Sequence, residues 1–288
     1  MGLSWHQGPL APDAAGRFLT TVPLPERMPF AEPLGRRMRV RFAGTWIADS
    51  EDVVLLHEPS RHPVAYFAVE DILEEVLVPA RHTTHHQDWG KTTWYDVRTS
   101  SKSARHAAYR HTDLPDYADD LRGRVAFVGR AMESFFEEDD QILGPATDPY
   151  HRVDIRRADR HLTVAADGRI IADTKKPLVS YESNFAPRWF VPRTDIDLDA
   201  LTLMECRTVS PYKGDCSYYA VLGRPAAAWS YERPPTEVQR LAGLVSFEPS
   251  SLEVRVDEVL LATEPEQPGQ FEHVAAGPRG GRTPGGRA

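Results

Sequence analysis

Short runs of alternating apolar and polar residues, separated by turn residues, recur along most of the chain. The segment VRFAGTWIAD at 40–49 alternates on both sides of a Gly and predicts a β-hairpin. Runs rich in β-branched and aromatic residues, such as VVLLHE at 53–58 and TTWYDV at 92–97, predict short strands. The segments 114–123 and 235–243 each begin near a Pro and end at a Gly, which predicts one small helix in each half. The predicted fold is β-rich, either all-β or α+β, rather than a doubly wound nucleotide fold.

The second half of this pattern repeats the first. Shifting the chain by 124 residues aligns 40–97 with 164–221 without a gap and gives 14 identical pairs, where about four are expected by chance. After a four-residue insertion near 98–105 the offset becomes 120, and LRGRVAF at 121–127 aligns with LAGLVSF at 241–247. The chain is therefore predicted to contain two homologous short-strand domains, each with about one small helix.

The repeat sets the predicted domain boundaries at 38–148 and 152–263. Residues 1–37 include six prolines and are expected to form an extended arm. Residues 264–288 contain six Gly and four Pro with little apolar surface, so we expect a disordered tail.

Composition and charge narrow the function classes. The formal net charge of −8, from 34 basic and 42 acidic residues, argues against nucleic acid as a partner, because that role needs a basic face. The chain contains no run of 18 apolar residues, so no membrane span is predicted. The first residues lack the apolar core of a secretory signal. Two cysteines cannot form a disulfide framework. We expect a cytoplasmic protein, and the bias toward Arg, Ala, Gly and Pro is typical of a GC-rich bacterial genome.

Three stretches of the second half carry a family resemblance. The segments SPYKGDCSYYAV at 210–221, AAAWSY at 226–231 and LAGLVSFEP at 241–249 closely resemble the family catalogued as domain of unknown function 427, and 181–199 is similar to it as well. The resemblance covers both repeats and implies no general activity.

The family pattern runs approximately His-Thr-x-His-Cys-Pro-Tyr-Lys-Gly, and each repeat matches a different part of it. His86 and Ser210 stand where the family usually has Cys, so thiol chemistry at that position is excluded. The first repeat keeps the imidazoles and the second keeps the lysine. The matching positions are His82, Thr84, His85, Gly90 and Tyr95 in the first repeat and Lys213, Gly214, Tyr218 and Tyr219 in the second.

The histidines at 82, 85 and 86 form the densest cluster of chemistry-bearing residues. Histidine titrates near neutral pH, so the cluster is a candidate for proton transfer. Two of these histidines together with Asp88 or Glu58 would also have the chemistry of a zinc or iron site. A polar turn without function is the third interpretation. The second repeat lacks these histidines, so our prediction contains no metal.

A glutamate recurs at the same place in both repeats, as Glu58 and Glu182. Glu58 ends an apolar strand, and a partly buried carboxylate suits a general acid or base. The alternative is a strand-end salt bridge, which both repeats would need for folding. Aromatic residues with polar groups near these positions are candidates to wall a small-molecule pocket.

These features predict a protein with a small-molecule pocket. We expect an enzyme of bacterial metabolism, which includes secondary metabolism, that works by His/Glu acid–base chemistry without a cofactor. Isomerase, cyclase, lyase and hydrolase reactions all fit. A non-catalytic ligand-binding or scaffold protein and a His/carboxylate metalloenzyme are the alternatives, and no oligomeric state is predicted. The predicted catalytic residues are His86, His85, His82, Glu58, Lys91 and Tyr95. The predicted substrate-binding residues are Trp89, Trp94, Tyr66, Tyr109, Lys213, Tyr218, Tyr219 and Glu182.

Deleting residues 266–288 tests the prediction for the tail. Because the segment has too little apolar surface to offset its ordering entropy, we expect the truncated chain to keep the melting temperature of the full chain. A drop of several degrees in a thermal unfolding experiment would show that the tail packs on a domain.

Overall fold

A computed structural model describes residues 17–25, 27–58, 61–183 and 185–262. The predicted disordered tail at 264–288 and the first 16 residues of the predicted arm lie outside these ranges. The chain divides into two compact units between His151 and Arg152. Each unit has its own hydrophobic core.

Short strands joined by tight turns make up the first unit, as its period-two patterns predict. The strands are β1 (Phe30–Pro33), β2 (Met38–Phe42), β3 (Thr45–Ser50), β4 (Val53–His57), β5 (Val64–Ala68), β6 (Leu77–His86), β7 (Gly90–Arg98), β8 (Ser103–His111), β9 (Arg124–Phe127), β10 (Ser134–Glu137) and β11 (Asp140–Ile142). They form a seven-stranded sheet in the order β1-β4-β5-β9-β8-β7-β6 and a four-stranded sheet in the order β11-β10-β2-β3.

The second unit is built in the same way. Its strands are β12 (Val153–Arg157), β13 (Leu162–Ala166), β14 (Arg169–Thr174), β15 (Leu178–Glu182), β16 (Arg188–Val191), β17 (Leu201–Ser210), β18 (Gly214–Val221), β19 (Arg224–Tyr231), β20 (Val245–Phe247), β21 (Glu253–Val256) and β22 (Val259–Leu260). The sheet orders are β12-β15-β16-β20-β19-β18-β17 and β14-β13-β21-β22. Strand for strand these orders equal those of the first unit, which confirms the prediction of two homologous β-rich domains.

The helical content consists of short 3-10 segments. The two helices predicted from Pro and Gly are the 3-10 segments Asp116–Leu121 and Thr236–Leu241, and each is kinked at its third residue, Ala118 or Val238. The other 3-10 segments of the described residues are Val69–Asp71, Gly129–Ala131, Arg193–Asp195 and Leu198–Ala200. These segments are too short for a full α-helix with its i→i−4 hydrogen bonds.

One strand comes from a segment that the sequence analysis assigned to the arm. Residues Phe30–Pro33 pair with β4 and form an edge of the large sheet, in the same role as β12 in the second unit. A partly buried hydrogen bond holds this edge, since His57 Nε2 lies 2.9 Å from Glu32 Oε1. Tyr150 donates a hydrogen bond of 2.7 Å to the other oxygen of Glu32.

Strand alternation divides each large sheet into two faces. Side chains on one face enter the main core; Phe67, Val97 and Val125 are examples in the first unit. Side chains at the intervening positions point to the opposite face, which we call the outer face, where Tyr66 and Trp89 join a smaller cluster with Leu121. The second unit has the same two clusters. Among the described residues, no helix is long and apolar enough to span a membrane.

Gly90 gives a direct test of the β6–β7 hairpin. Its φ is +67°, and a Cβ at this position would lie 2.5 Å from the carbonyl oxygen of Asp113. We expect Gly90→Ala to lower the free energy of unfolding by clearly more than the φ strain alone, which costs about 1–3 kcal/mol. Gly44→Ala is the matched control, because Gly44 also has a positive φ but no atom lies within 4 Å of its added Cβ. Equal losses in chemical denaturation would contradict the close approach.

Candidate functional site

A buried glutamate lies at the outer face of the large sheet in both units, at the end of an apolar strand. Glu58 directly follows β4, and Glu182 is the last residue of β15; both are buried. The hydrogen-bond partners of the two glutamates differ, although they occupy equivalent positions of the repeat.

Glu58 is the centre of a group that we call the first-repeat cluster: Glu58, His86, Trp89, Tyr66, Tyr109 and His111. The Oε1 atom of Glu58 lies 3.0 Å from His86 Nε2 and accepts a hydrogen bond of 3.3 Å from the indole N–H of Trp89. Its Oε2 atom has a contact of 3.5 Å with Arg61. Two N–H groups thus converge on one carboxylate oxygen, and among the described residues the other oxygen is held only by a long contact with an exposed guanidinium.

The tautomer of His86 follows from its second nitrogen. The backbone N–H of Asp88 donates to His86 Nδ1 over 3.2 Å. Because a backbone amide can only donate, Nδ1 is the acceptor, and the ring proton of a neutral imidazole must be on Nε2. His86 therefore donates its Nε2–H to Glu58.

His111 links the deeper part of the cluster. Its Nε2 lies 2.9 Å from the hydroxyl oxygen of Tyr66, and its Nδ1 lies 3.0 Å from that of Thr92. The ring centroid of His111 is 5.6 Å from that of His86. Both nitrogens of His111 thus have a hydroxyl partner, which satisfies a buried neutral imidazole.

Burial keeps this part of the cluster uncharged. Desolvation, followed by the neighbouring His86, lowers the pKa of His111 to about 4. Burial also raises the pKa of Tyr66 well above its ordinary value and raises the pKa of Tyr109. At neutral pH the first-repeat cluster thus contains a neutral imidazole and two neutral phenols, while the exposed guanidinium of Arg61 contacts Glu58.

Glu58, His86 and Asp88 could also hold a metal ion, because one ligand atom from each lies within 4.8 Å of the others. The hydrogen bonds of the cluster compete with that role. His86 Nε2 carries the proton that Glu58 accepts, and the Asp88 carboxylate pairs with Arg27 over 2.7 Å. A metal bound to His86 Nε2 would have to displace the hydrogen bond to Glu58 and reverse the His86 tautomer, and it would share Asp88 with Arg27, which holds Oδ2.

In the second unit the buried glutamate pairs with a lysine. Lys213 donates from Nζ to Glu182, and their side chains are only 15% and 4% exposed. Lys213 is the repeat equivalent of Trp89, so the same position, in the turn before β7 or β18, supplies the glutamate with an N–H donor in both units. A further hydrogen bond is shared: Trp94 Nε1 donates to Thr84 over 3.0 Å, and the equivalent Tyr218 hydroxyl lies 2.9 Å from that of Thr208.

A cavity of about 410 Å³ opens beside this lysine, and we call it the second-repeat cavity. Its walls come from alternate positions of β15, β16, β18 and β19, with the preceding loops and Glu248 completing it. The lining residues are Ser180, Glu182, Phe185, Arg188, Phe190, Lys213, Cys216, Tyr218, Ala226, Trp229, Tyr231 and Glu248.

Several predicted site residues lie at these two places. Of the predicted catalytic residues, Glu58 and His86 are in contact, and Trp89, Tyr66 and Tyr109 from the binding set join them in the first-repeat cluster. Trp94 contacts this cluster through Tyr109, with ring centroids 5.0 Å apart. Glu182, Lys213 and Tyr218 line the second-repeat cavity.

Other predicted site residues lie elsewhere. His82 stacks on His106 with ring centroids 4.6 Å apart, and His85 and Lys91 are exposed. Tyr95 packs against the main core, on the opposite face from Glu58. Its equivalent, Tyr219, also faces the core side, where its hydroxyl accepts a hydrogen bond from Arg193 over 2.8 Å.

The sequence analysis did not include His111, Tyr231, Cys216 or Phe190 among the candidates. His111 lies two positions after Tyr109, and Tyr231 lies two positions after Trp229, so each pair shares one face of a strand. Applying this alternation to the aromatic candidates would have identified both residues. Cys216 and Phe190 look like ordinary core residues, and only the sheet order places them beside Lys213.

The fold and these sites define a β-rich tandem-repeat protein with a buried polar site on the outer face of each repeat. A family model described as "Domain of unknown function (DUF427)" matches residues 30–138 and 154–259. The chain belongs to this family, and both of its repeats are copies of the family's domain. No curated protein matches the chain in sequence.

His111 makes a prediction about acid stability. Its pKa is about 4 in the folded chain and about 6.5, the ordinary value, in the unfolded chain. Below pH 6.5 the unfolded state binds a proton that the folded state does not. The free energy of unfolding is therefore highest above pH 6.5 and falls as the pH drops toward 4. We expect His111→Gln to flatten this part of the curve of unfolding free energy against pH.

The exposed His85 supplies the control for this measurement. His85→Gln should leave the pH curve of the wild type unchanged between pH 7 and pH 4. A curve for His111→Gln that parallels the wild type throughout this range would show that His111 titrates normally.

Proposed function

We propose that the chain is a small-molecule enzyme of bacterial metabolism in which the first-repeat cluster performs acid–base chemistry without an organic cofactor. The observation that supports this proposal most is the buried carboxylate of Glu58, with the N–H groups of His86 and Trp89 converging on its Oε1 atom. Composition supports a cytoplasmic location, and the acidic balance favours a small molecule over nucleic acid as the partner.

The two oxygens of Glu58 have different capacities. Oε1 receives two N–H donors, which hold the carboxylate in place and stabilise its charge. Within the described part of the chain, Oε2 has only the 3.5 Å contact with Arg61 and keeps the capacity to accept a proton from a substrate. Glu58 is therefore the proton acceptor in this proposal, and His86 positions it and adjusts its basicity.

The neutral groups of the first-repeat cluster favour this role, and Arg61 adds a charged contact at its exposed side. Tyr66, Tyr109 and His111 add polar atoms without adding charge, so the electrostatic interactions of the carboxylate are stronger than in water. A single positioned carboxylate serves isomerisation, cyclisation, elimination or hydrolysis, all of which need a proton moved at a fixed place. Lys213, in the second repeat, belongs to a separate binding site under this proposal.

A comparison of variants on a metabolite extract tests the proposal. Purified protein is incubated with the small-molecule extract of a bacterial cell, and compounds that change are followed by mass spectrometry. We expect Glu58→Gln to abolish the wild-type change, because the amide cannot accept the proton. His86→Ala should slow it by about 10²-fold or more, the size of a lost acid–base partner.

Three further variants separate positioning from folding and from the second repeat. His86→Gln keeps an N–H donor for Glu58 and should recover part of the rate lost in His86→Ala, whereas His85→Ala, one residue away and exposed, should behave as wild type. Lys213→Ala should affect this rate much less than His86→Ala. Unchanged turnover in Glu58→Gln, or the reverse order of the His86 and Lys213 effects, would contradict the proposal.

The metalloenzyme alternative rests on Glu58, His86 and Asp88 and makes its own prediction. Because hydrogen bonds occupy His86 Nε2 and Asp88, we expect elemental analysis of the purified protein to give well under one zinc or iron per chain. One equivalent of metal, lost on Asp88→Asn, would replace the acid–base proposal with a metal site.

A further inference from the structure

The second-repeat cavity has the construction of a ligand site and is independent of the chemistry proposed for the first repeat. Its volume of about 410 Å³ falls within the range of small-molecule pockets, about 300–1,000 Å³. Lys213 and Glu182 lie at one side, and the aromatic rings of Phe185, Phe190 and Trp229 contribute to the walls.

The buried ion pair is the costly feature of this cavity. Taking an ammonium and a carboxylate out of water costs free energy that their mutual attraction often fails to recover. In the first repeat the equivalent position is Trp89, which satisfies Glu58 with a neutral indole N–H. The fold therefore does not require a lysine at this position, and a role beyond folding explains the charge.

The ammonium of Lys213 has capacity for a further partner. It has three N–H donors, of which one serves Glu182, and it lies 5.7 Å from the ring centroid of Phe185 and 5.6 Å from that of Tyr231. An aromatic face attracts a cation through its ring electrons. Such a contact leaves the N–H groups available, whereas a hydrogen bond to an oxygen occupies one of them. Lys213 can thus donate a hydrogen bond to an oxygen placed in the cavity.

The hydroxyl and thiol groups around the cavity are neutral, and Arg188 and Glu248 add one charge of each sign to its lining. Burial raises the pKa of Tyr218 to about 12, and it also raises the pKa of Tyr231 and of the Cys216 thiol. At neutral pH these groups are therefore protonated, so the walls beside Lys213 combine neutral donors with apolar rings.

We propose that the second-repeat cavity binds a flat aromatic compound that carries a carboxylate or carbonyl oxygen. The ring system packs against the aromatic walls, and the oxygen accepts a hydrogen bond from Lys213. An organic cation is disfavoured in this position, because it would place a second positive charge beside the ammonium.

Calorimetric titration with four naphthalene probes tests this class: 2-naphthoate, 2-acetonaphthone, naphthalene and 2-naphthylmethylamine. We expect one or both of the oxygen-bearing probes to bind at least about tenfold more tightly than naphthalene and the amine, a difference on the order of one good hydrogen bond. Which of the two binds more tightly identifies the oxygen as carboxylate or carbonyl. Equal affinity for the amine, or no binding of either oxygen-bearing probe, would overturn the proposal.

The first repeat supplies the matched variant. Lys213→Trp introduces the residue of the equivalent position, keeps an N–H donor for Glu182 and removes the ammonium, so binding should fall by about tenfold or more. Lys175→Trp, the same change at an exposed lysine that is not among the lining residues, should leave binding unchanged. Binding that survives in a folded Lys213→Trp protein would refute the role of the lysine.

A thiol assay locates the bound probe without relying on Lys213. The chain has two cysteines, and Cys206→Ser leaves only Cys216, which lines the cavity. A saturating oxygen-bearing probe should slow the reaction of Cys216 with methyl methanethiosulfonate several-fold. An unchanged labelling rate at saturation would place the probe elsewhere and overturn the assignment of this cavity.

Discussion

A carboxylate that leaves water needs hydrogen-bond donors or a countercharge, and both repeats of this chain must meet that need at the end of the same strand. The first repeat uses the imidazole and indole N–H groups of His86 and Trp89 on Glu58. The second uses the ammonium of Lys213 on Glu182. The different partners give the two sites different chemistry, although the sheets that carry them have the same strand order.

The strand alternation explains how one sheet serves both stability and function. Each strand of the large sheet gives every second side chain to the main core and the others to the outer face. Tyr218 and Tyr219 show the consequence, since the first lines the cavity and the second faces the core. A substitution in such a strand should therefore affect core packing if its side chain faces the main core, and the site if its side chain faces the outer face.

Much of the fold could be predicted from the sequence, because a gapless repeat and period-two patterns depend on local residue order. Glu58 and His86 could also be predicted as candidates from local features, namely the end of an apolar strand and a cluster of histidines. The sequence could not exclude His82 and His85, because proximity along a strand does not show which side chains converge. His111 and Cys216 reach the two sites only through the pairing of β7 with β8 and of β18 with β19, which is a non-local property.

We infer that the Glu182–Lys213 pair of the outer face is kept for function and not for stability. The unfolding free energy of the double variant Glu182→Met/Lys213→Met measures this directly, because it replaces the ion pair by apolar side chains of similar volume. We expect a free energy of unfolding equal to that of the wild type or higher, by up to about 1–4 kcal/mol, together with loss of ligand binding. A double variant that is several kcal/mol less stable than the wild type would show that the pair is a structural support, and would contradict the account.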